Sequence, residues 1–310
     1  MLRKEPAFWA VVIFVGTRLA SGAQRDPSTT TFGGAWNRFP TKPRTIVILP
    51  TYNEADNLPL LVTAIRDAEP EIDILVVDDN SPDGTGRIAD ELASRHTGIT
   101  VFHRPIKQGL GRAYVAGFAY ALSAGYECIV EMDADFSHAP ADLPRLLEMA
   151  QRVPVVIGSR AVPGGRAEGW SPLRSFISKA GSVYARRILG LPLRDVTSGF
   201  KCFRRSALEL VDLDRLVSNG YAFQIELNHA CHRAGLPFLE IPIVFRDRVR
   251  GRSKMTPGIA IEAAWLVLGL RIGFAPPLLA PVQAIRALLE IEQEMATDDS
   301  LAPSSQTATG

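Results

Sequence analysis

From Thr45 onward, short runs of β-branched and aliphatic residues alternate with segments whose apolar positions recur every three or four residues. The first pattern predicts strands over 45–49, 72–77, 100–103, 128–132 and 155–158; the second predicts helices over 55–68, 86–95, 109–124 and 141–151. Strands and helices in strict alternation build an α/β domain, a mostly parallel central sheet flanked by helices. The unbroken ILVV run at 74–77 fits a strand buried on both faces, as a central position requires. Each strand runs into polar residues. Ligands of open α/β sheets bind beyond the carboxyl ends of strands, so the loops after Leu49, Val77, Met132 and Gly158 are expected to line one crevice. Past Gly165 the alternation fades into a helix over 171–189, a polar stretch over 194–205, a helix over 223–234 and a strand over 238–245.

The two ends read differently. Arg3 and Lys4 precede an apolar run at 7–15 and small residues at 20–23, the layout of a signal peptide, but Arg18 interrupts it. The run is shorter than the roughly 20 apolar residues that cross a bilayer. Residues 1–42 therefore read as a leader, either an over-extended start or a weak membrane contact, followed by a linker rich in Gly, Thr, Pro and Ser from 21. The folded domain is expected over 43–272, with a C-terminal helix and a disordered tail over 273–310. The stretch 259–270, apolar apart from Glu262, is again too short to span and is either an interfacial helix or a core helix.

With 310 residues, 46% of them hydrophobic, the chain can bury one sizeable core. A formal net charge of +1 provides no global field for nucleic acid, so any anion site must be local. Cys128, Cys202 and Cys231 lack the close spacing of zinc or redox motifs and read as buried thiols.

The first loop, LPTYNEADNLP, has no GxGxxG, which argues against a dinucleotide-dependent dehydrogenase. Tyr52 is suited to lie against a flat base and Glu54 to accept hydrogen bonds from ribose or base; alternatively Asn53 and Glu54 only cap the next helix. In VVDDNSPDGTG, adjacent strand residues point to opposite faces, so only one of Asp78 and Asp79 can face a ligand. Asp79 is the expected one, unless both carboxylates only organise the turn. In EMDADFSH, Asp133 and Asp135 share a face of extended chain at roughly 6.6 Å spacing. Unless this is an acidic loop facing solvent, two converging carboxylates repel each other without a cation or proton between them, and Mg2+ or Mn2+ suits such oxygen ligands. Arg246, Arg248, Arg250 and Arg252 alternate and would crowd one strand face unless a polyanion relieved them; Gly251 suggests a mobile loop there. Arg204 and Arg205 read as surface.

Taken in this order, LPTYNEADNLP, VVDDNSPDGTG and MDADFSH resemble the nucleotide-binding half of family-two glycosyltransferases with the GT-A fold. More narrowly, they resemble dolichol-phosphate mannose synthases, known in actinobacteria as polyprenol-monophosphomannose synthases. The resemblance continues through GSR at 158–160, RDVTSGFKCFRR at 194–205, GYAFQIE at 220–226 and FRDRVRGRSKM at 245–255, and covers about 45–271. It implies an inverting transfer of mannose from GDP-mannose to dolichyl or polyprenyl phosphate, with Mg2+ or Mn2+, by a peripheral enzyme at the cytoplasmic face of a membrane. The partners it implies are the membrane surface and a membrane-anchoring protein.

Carried over by residue, the resemblance assigns Pro50, Tyr52, Glu54, Val77 and Asp79 to the nucleoside part of the donor. Asp133, Ala134 and Asp135 would hold ribose, diphosphate and metal, with the metal on Asp133 and Asp135. Arg160, Arg248 and Lys254 would face the donor phosphates, and Arg160, Arg174 and Ser178 the acceptor phosphate. Asp135, Arg248 and Lys254 carry the catalytic assignment. Archaeal relatives place a further metal ligand, a glutamine, where this chain has Ser137. Two rival readings stay open: a GT-A enzyme using UDP-glucose or another donor, and a non-catalytic nucleotide-sugar-binding module.

Overall fold

The computed structural model describes residues 38–247 and 257–273, the side chains of 257–262 excepted. The leader and most of the linker, the segment 248–256 with Arg248, Arg250, Gly251, Arg252 and Lys254, and the tail from 274 lie outside the described residues.

Chain order runs β1 (Thr45–Thr51), α1 (Leu58–Ala68), β2 (Asp73–Asp78), α2 (Thr85–Arg95), β3 (Ile99–His103), α3 (Leu110–Ser123), β4 (Cys128–Glu131), α4 (Leu143–Ala150) and β5 (Val155–Ser159). It continues through β6 (Arg166–Glu168), α5 (Pro172–Leu189), β7 (Lys201–Arg204), α6 (Arg205–Leu208), α7 (Gly220–Arg233), β8 (Phe238–Pro242), β9 (Val244–Arg246) and α8 (Pro257–Arg271). Seven strands form one sheet in the order β3-β2-β1-β4-β7-β5-β8, parallel except for β7, which runs antiparallel to both neighbours. The expected mostly parallel, helix-flanked sheet is thus present.

Apolar continuity explains the centre of this sheet. Ile46 to Leu49 on β1 and Ile74 to Val77 on β2 are completely buried, packed between the helices on the two faces. Thr51 and Asp78 are paired at the ends of β1 and β2, so the two chains leave the sheet side by side. Met132, just past β4, still donates its N–H to Ile48 O at 3.3 Å, which delivers Asp133 to the same edge.

Four expectations need correction. The polar stretch 194–205 contains β7, whose four residues are all buried; Lys201 and Arg204 hid the strand because their charges are satisfied internally. Arg204 is accordingly not a surface residue: its Nε donates to Ala150 O at 2.7 Å and its guanidinium lies 4.6 Å from the Phe39 ring centroid. The single strand expected over 238–245 is two, because β8 pairs with β5 in the main sheet whereas β9 pairs with β6 in a separate ribbon. Helix α1 also starts later than expected. Asn53 takes the left-handed conformation, φ 62°, and Asn57 becomes the N-cap residue ahead of Leu58 and Pro59.

Helix α5 is bounded as its residues dictate: Ser171 Oγ accepts from Arg174 N at 3.2 Å, and Gly190 closes the other end at φ 70°. Helix α8 packs on α5 and α7, with Tyr184 of α5 donating to Ala264 O at 3.1 Å. Leu266 and Val267 face inward while Trp265, Leu268 and Ile272 are exposed, so one face packs and another is left bare. Among the described residues no helix is long and apolar enough to cross a membrane. All three cysteines are buried free thiols.

Candidate functional site

A cavity of about 330 Å³ opens at the carboxyl edge of the sheet. Its floor is made by the loops after β1, β2 and β4, and its far wall by the first turns of α3 and α7. Of the residues expected there, Pro50, Tyr52, Glu54, Asp79, Asp133, Ala134, Asp135, Arg160 and Arg174 line it together. Val77 and Ser178 do not: Val77 is wholly buried within β2, and Ser178 lies one turn along α5 from Arg174, half-buried outside the cavity. Arg248 and Lys254 fall outside the described residues, although the chain reaches the cavity wall at Asp247.

At one end, Lys107 Nζ stands 3.6 Å over the Tyr52 ring, a cation held against an aromatic face that could receive a base. Glu54 Oε2 accepts from Asn57 Nδ2 at 2.7 Å, and the N-cap residue of α1 is Asn57 rather than Asn53 or Glu54. The two adjacent aspartates divide their work as the strand geometry requires. Asp78 organises the turn, accepting from Thr51 Oγ1 at 2.9 Å and from Ser81 N at 3.0 Å. Asp79 faces the cavity and is held by Arg104 together with the N–H groups of Gln108 and Gly109.

In the middle, Tyr114 donates its hydroxyl to Asp133 Oδ1 at 3.1 Å and Ser137 N donates to Asp135 Oδ1 at 3.0 Å. Burial, reinforced by Asp133, pushes the Tyr114 phenol well above its usual range, which keeps it a donor. Phe136 follows with φ 60°, a left-handed conformation rare for an aromatic residue and a mark of a turn held by its surroundings. Burial, only partly opposed by Asp135, lowers the neighbouring His138 to about 4, so it is neutral at pH 7. Among the described residues no group of three or more His, Cys, Asp or Glu side chains forms a metal site. The pair Asp133 and Asp135 nevertheless fits a hard divalent cation. Both are carboxylates, no thiol lines the cavity, and such ions complete their shells with water and substrate phosphate oxygens.

At the other end, Arg160 is clamped by Asp195, donating from Nε at 2.7 Å, from Nη2 at 2.6 Å and from its backbone N at 2.9 Å. Arg174 Nη1 donates to Asp247 Oδ2 at 2.6 Å. Both guanidiniums flank the Trp170 indole, at 5.3 and 4.5 Å from the ring centroid. Two arginines converge on a cavity wall, each already oriented by a carboxylate.

Sequence reasoning did not single out Lys107, Tyr114, Trp170, Asp195 or Gln224. Asp195 and Gln224 lie inside the RDVTSGFKCFRR and GYAFQIE stretches, so the motif signal covered them without assigning them a task. Tyr114 and Trp170 carried no local signal, since an aromatic residue in a helix or loop reads as core. Behind the acidic pair, Lys201 Nζ donates to Glu131 Oε2 at 3.2 Å, both side chains fully buried. Burial pushes the Glu131 carboxyl up against the opposing pull of Lys201.

Residues 46–211 match the family model described as glycosyl transferase family 2. The chain is similar to the undecaprenyl-phosphate mannosyltransferase of Micrococcus luteus, 50% identical over 71% of this chain and 90% of the relative. It is similar also to the polyprenol monophosphomannose synthase of Mycolicibacterium smegmatis, 46% identical over 79% of this chain and 90% of the relative. Among solved structures, glucosyl-3-phosphoglycerate synthase from Mycobacterium tuberculosis, in complex with Mn2+ and uridine-diphosphate-glucose, shares the GT-A fold. Its TM-score is 0.56 at 21% identity, covering 76% of this chain and 81% of that one.

Proposed function

This chain belongs to glycosyl transferase family 2, and from that premise we propose that it moves mannose from GDP-mannose to a polyprenyl phosphate, with inversion, at the cytoplasmic face of a membrane. One observation carries the reading. A single cavity holds an aromatic and acidic end at Tyr52, Glu54 and Asp79, an acidic pair in the middle, and two carboxylate-held arginines at the other end. That order matches base and ribose, diphosphate, and a phosphate acceptor. The names of the two relatives support the sugar and the acceptor class.

In this reading the guanine base lies on Tyr52, the ribose hydroxyls donate to Glu54 and Asp79, and Val77 supports that end from the core. Asp133 and Asp135 would hold Mg2+ or Mn2+, which when bound neutralises charge on the departing diphosphate. Arg248 and Lys254 serve the same phosphates. Arg160 and Arg174 receive the acceptor phosphate; Ser178, one turn further along α5 and outside the cavity, would contact the lipid side of that phosphate ester. A phosphate monoester has its second pKa at about 6, so its oxygen is already a nucleophile at neutrality and needs no general base. What remains for the protein is to hold that oxygen in line with the anomeric carbon and to exclude water. Attack from the face opposite the departing diphosphate turns an α-linked donor into a β-linked product.

The acceptor's prenyl chain must stay in lipid. Leu173, Phe176 and Ile177 are exposed on the same turns of α5 as Arg174, and Trp265, Leu268 and Ile272 are exposed on or just after the adjoining α8. Apolar side chains beside the phosphate-binding arginine fit an interfacial contact that brings the lipid headgroup to Arg174. The test is direct: incubate the protein with labelled GDP-mannose, polyprenyl phosphate and Mg2+ or Mn2+, and extract into organic solvent. Label should enter the organic phase only with metal and acceptor present; transfer from UDP-glucose but not from GDP-mannose would overturn the donor assignment.

A further inference from the structure

Gln224, on α7, lines the cavity and is only 2% exposed. Behind it, Lys201 donates to Gln224 Oε1 as well as to Glu131, and all three side chains are buried. A lysine terminus can only donate, so it faces the amide oxygen and turns the NH2 group the other way. Gln224 Nε2 is buried and forms no hydrogen bond of normal length within the protein. Glu131 is close enough to draw on one of its two hydrogens. On the cavity side the neighbours are Gly199 and Asp133. A Cβ added to Gly199 would sit 3.5 Å from Gln224 Nε2 and 3.4 Å from Asp133 Oδ2. The amide and the carboxylate therefore flank one slot, kept open because residue 199 has no side chain.

With Glu131 facing one amide hydrogen, the other is left to the cavity; a buried N–H without an acceptor is costly, and a ligand that brings the acceptor removes that cost. An N–H on one side and a carboxylate oxygen on the other match a hydroxyl, which accepts from the first and donates to the second. An ionised phosphate oxygen would satisfy the amide but has no proton to offer Asp133, and could share the slot with that carboxylate only through a cation between them. We propose that Gln224 is a specificity-determining residue that binds a hydroxyl of the transferred sugar, with Lys201 and Glu131 as positioning residues for its amide. The assignment rests on the nucleotide-sugar reading of the cavity and deepens it by naming which part of the donor this wall reads.

Two variants of the full chain test it. Gln224→Met removes the amide at similar volume; Gly199→Ala narrows the slot while meeting neighbours only at ordinary packing distance. With GDP-mannose, kcat/KM should fall roughly tenfold in each, whereas GDP affinity by calorimetry should change less than twofold. Among monodeoxy GDP-mannose donors, one should cost the wild-type protein a similar factor and Gln224→Met nothing further. The proposal is overturned if GDP affinity falls in parallel, if neither variant loses activity, or if the Gln224→Met loss persists undiminished on every deoxy donor. A wild-type chain that fails to bind GDP-mannose overturns the proposed function and this inference together. A wild type that transfers mannose no faster than the variants overturns the inference alone.

Discussion

Asp195→Asn isolates the contribution of the Arg160 clamp. The side chains of this ion pair are 9% and 3% exposed, and Asp195 accepts three hydrogen bonds from Arg160 alone. Removing one partner of a buried pair costs about 3–5 kcal/mol, most of it the charge left behind. Two features place the expected loss near the lower end, about 3 kcal/mol. Arg160 keeps its stacking on Trp170 and Phe245, and it also feels the Asp133 carboxylate. For a domain of this size such a loss lowers Tm by about 6–12 °C. Urea unfolding followed by tryptophan fluorescence would read it as a lower midpoint at unchanged slope.

The pH dependence supplies a second check. Burial alone would raise the Asp195 carboxyl, but the charge and hydrogen bonds of Arg160 outweigh it and hold the group below the usual carboxylate range. A depressed folded-state pKa contributes stability that is present above the unfolded value of about 3.9 and is lost as pH falls through the folded value. The gap between wild type and Asp195→Asn should thus be full near pH 7 and narrow below about pH 4. A loss under about 1 kcal/mol at pH 7, or a gap that stays constant into acid, would refute the clamp.

Four other outcomes are expected. Asp135→Ala should lower mannose transfer by more than about 10²-fold with an unchanged circular dichroism spectrum; full activity would remove the cation assignment. Arg174→Ala should raise KM for the lipid acceptor at least about tenfold, more than for GDP-mannose, and a change confined to the donor would show that the two ends of the cavity have been interchanged. Replacing exposed Phe176 and Trp265 together by glutamate should weaken sedimentation with anionic lipid vesicles while leaving GDP affinity alone; unchanged sedimentation would argue against a bilayer on that face. Gly111→Ala should destabilise by about 1–3 kcal/mol, because a Cβ there would lie 2.2 Å from Ser218 O on a backbone that cannot yield locally; a midpoint unchanged in urea would show that the α3 start can shift.

The pattern along the chain was enough for the parallel half of the sheet, because Ile46 to Leu49 and Ile74 to Val77 are buried on both faces and only an unbroken apolar run satisfies that. It was enough also to bring Asp79, Asp133 and Asp135 to one edge, since parallel strands with helical crossovers all end on the same side. It could not find β7, whose Lys201 is paired with Glu131 and whose Arg204 donates to a helix-end carbonyl, both partners distant in sequence. Nor could it find the Arg160–Asp195 clamp, the two arginines about Trp170, or the amide of Gln224 turned by a buried lysine. Periodicity records which face of an element meets the core, and that is a local property. Which polar groups cancel one another depends on contacts across the sheet, and those exist only once the chain has folded.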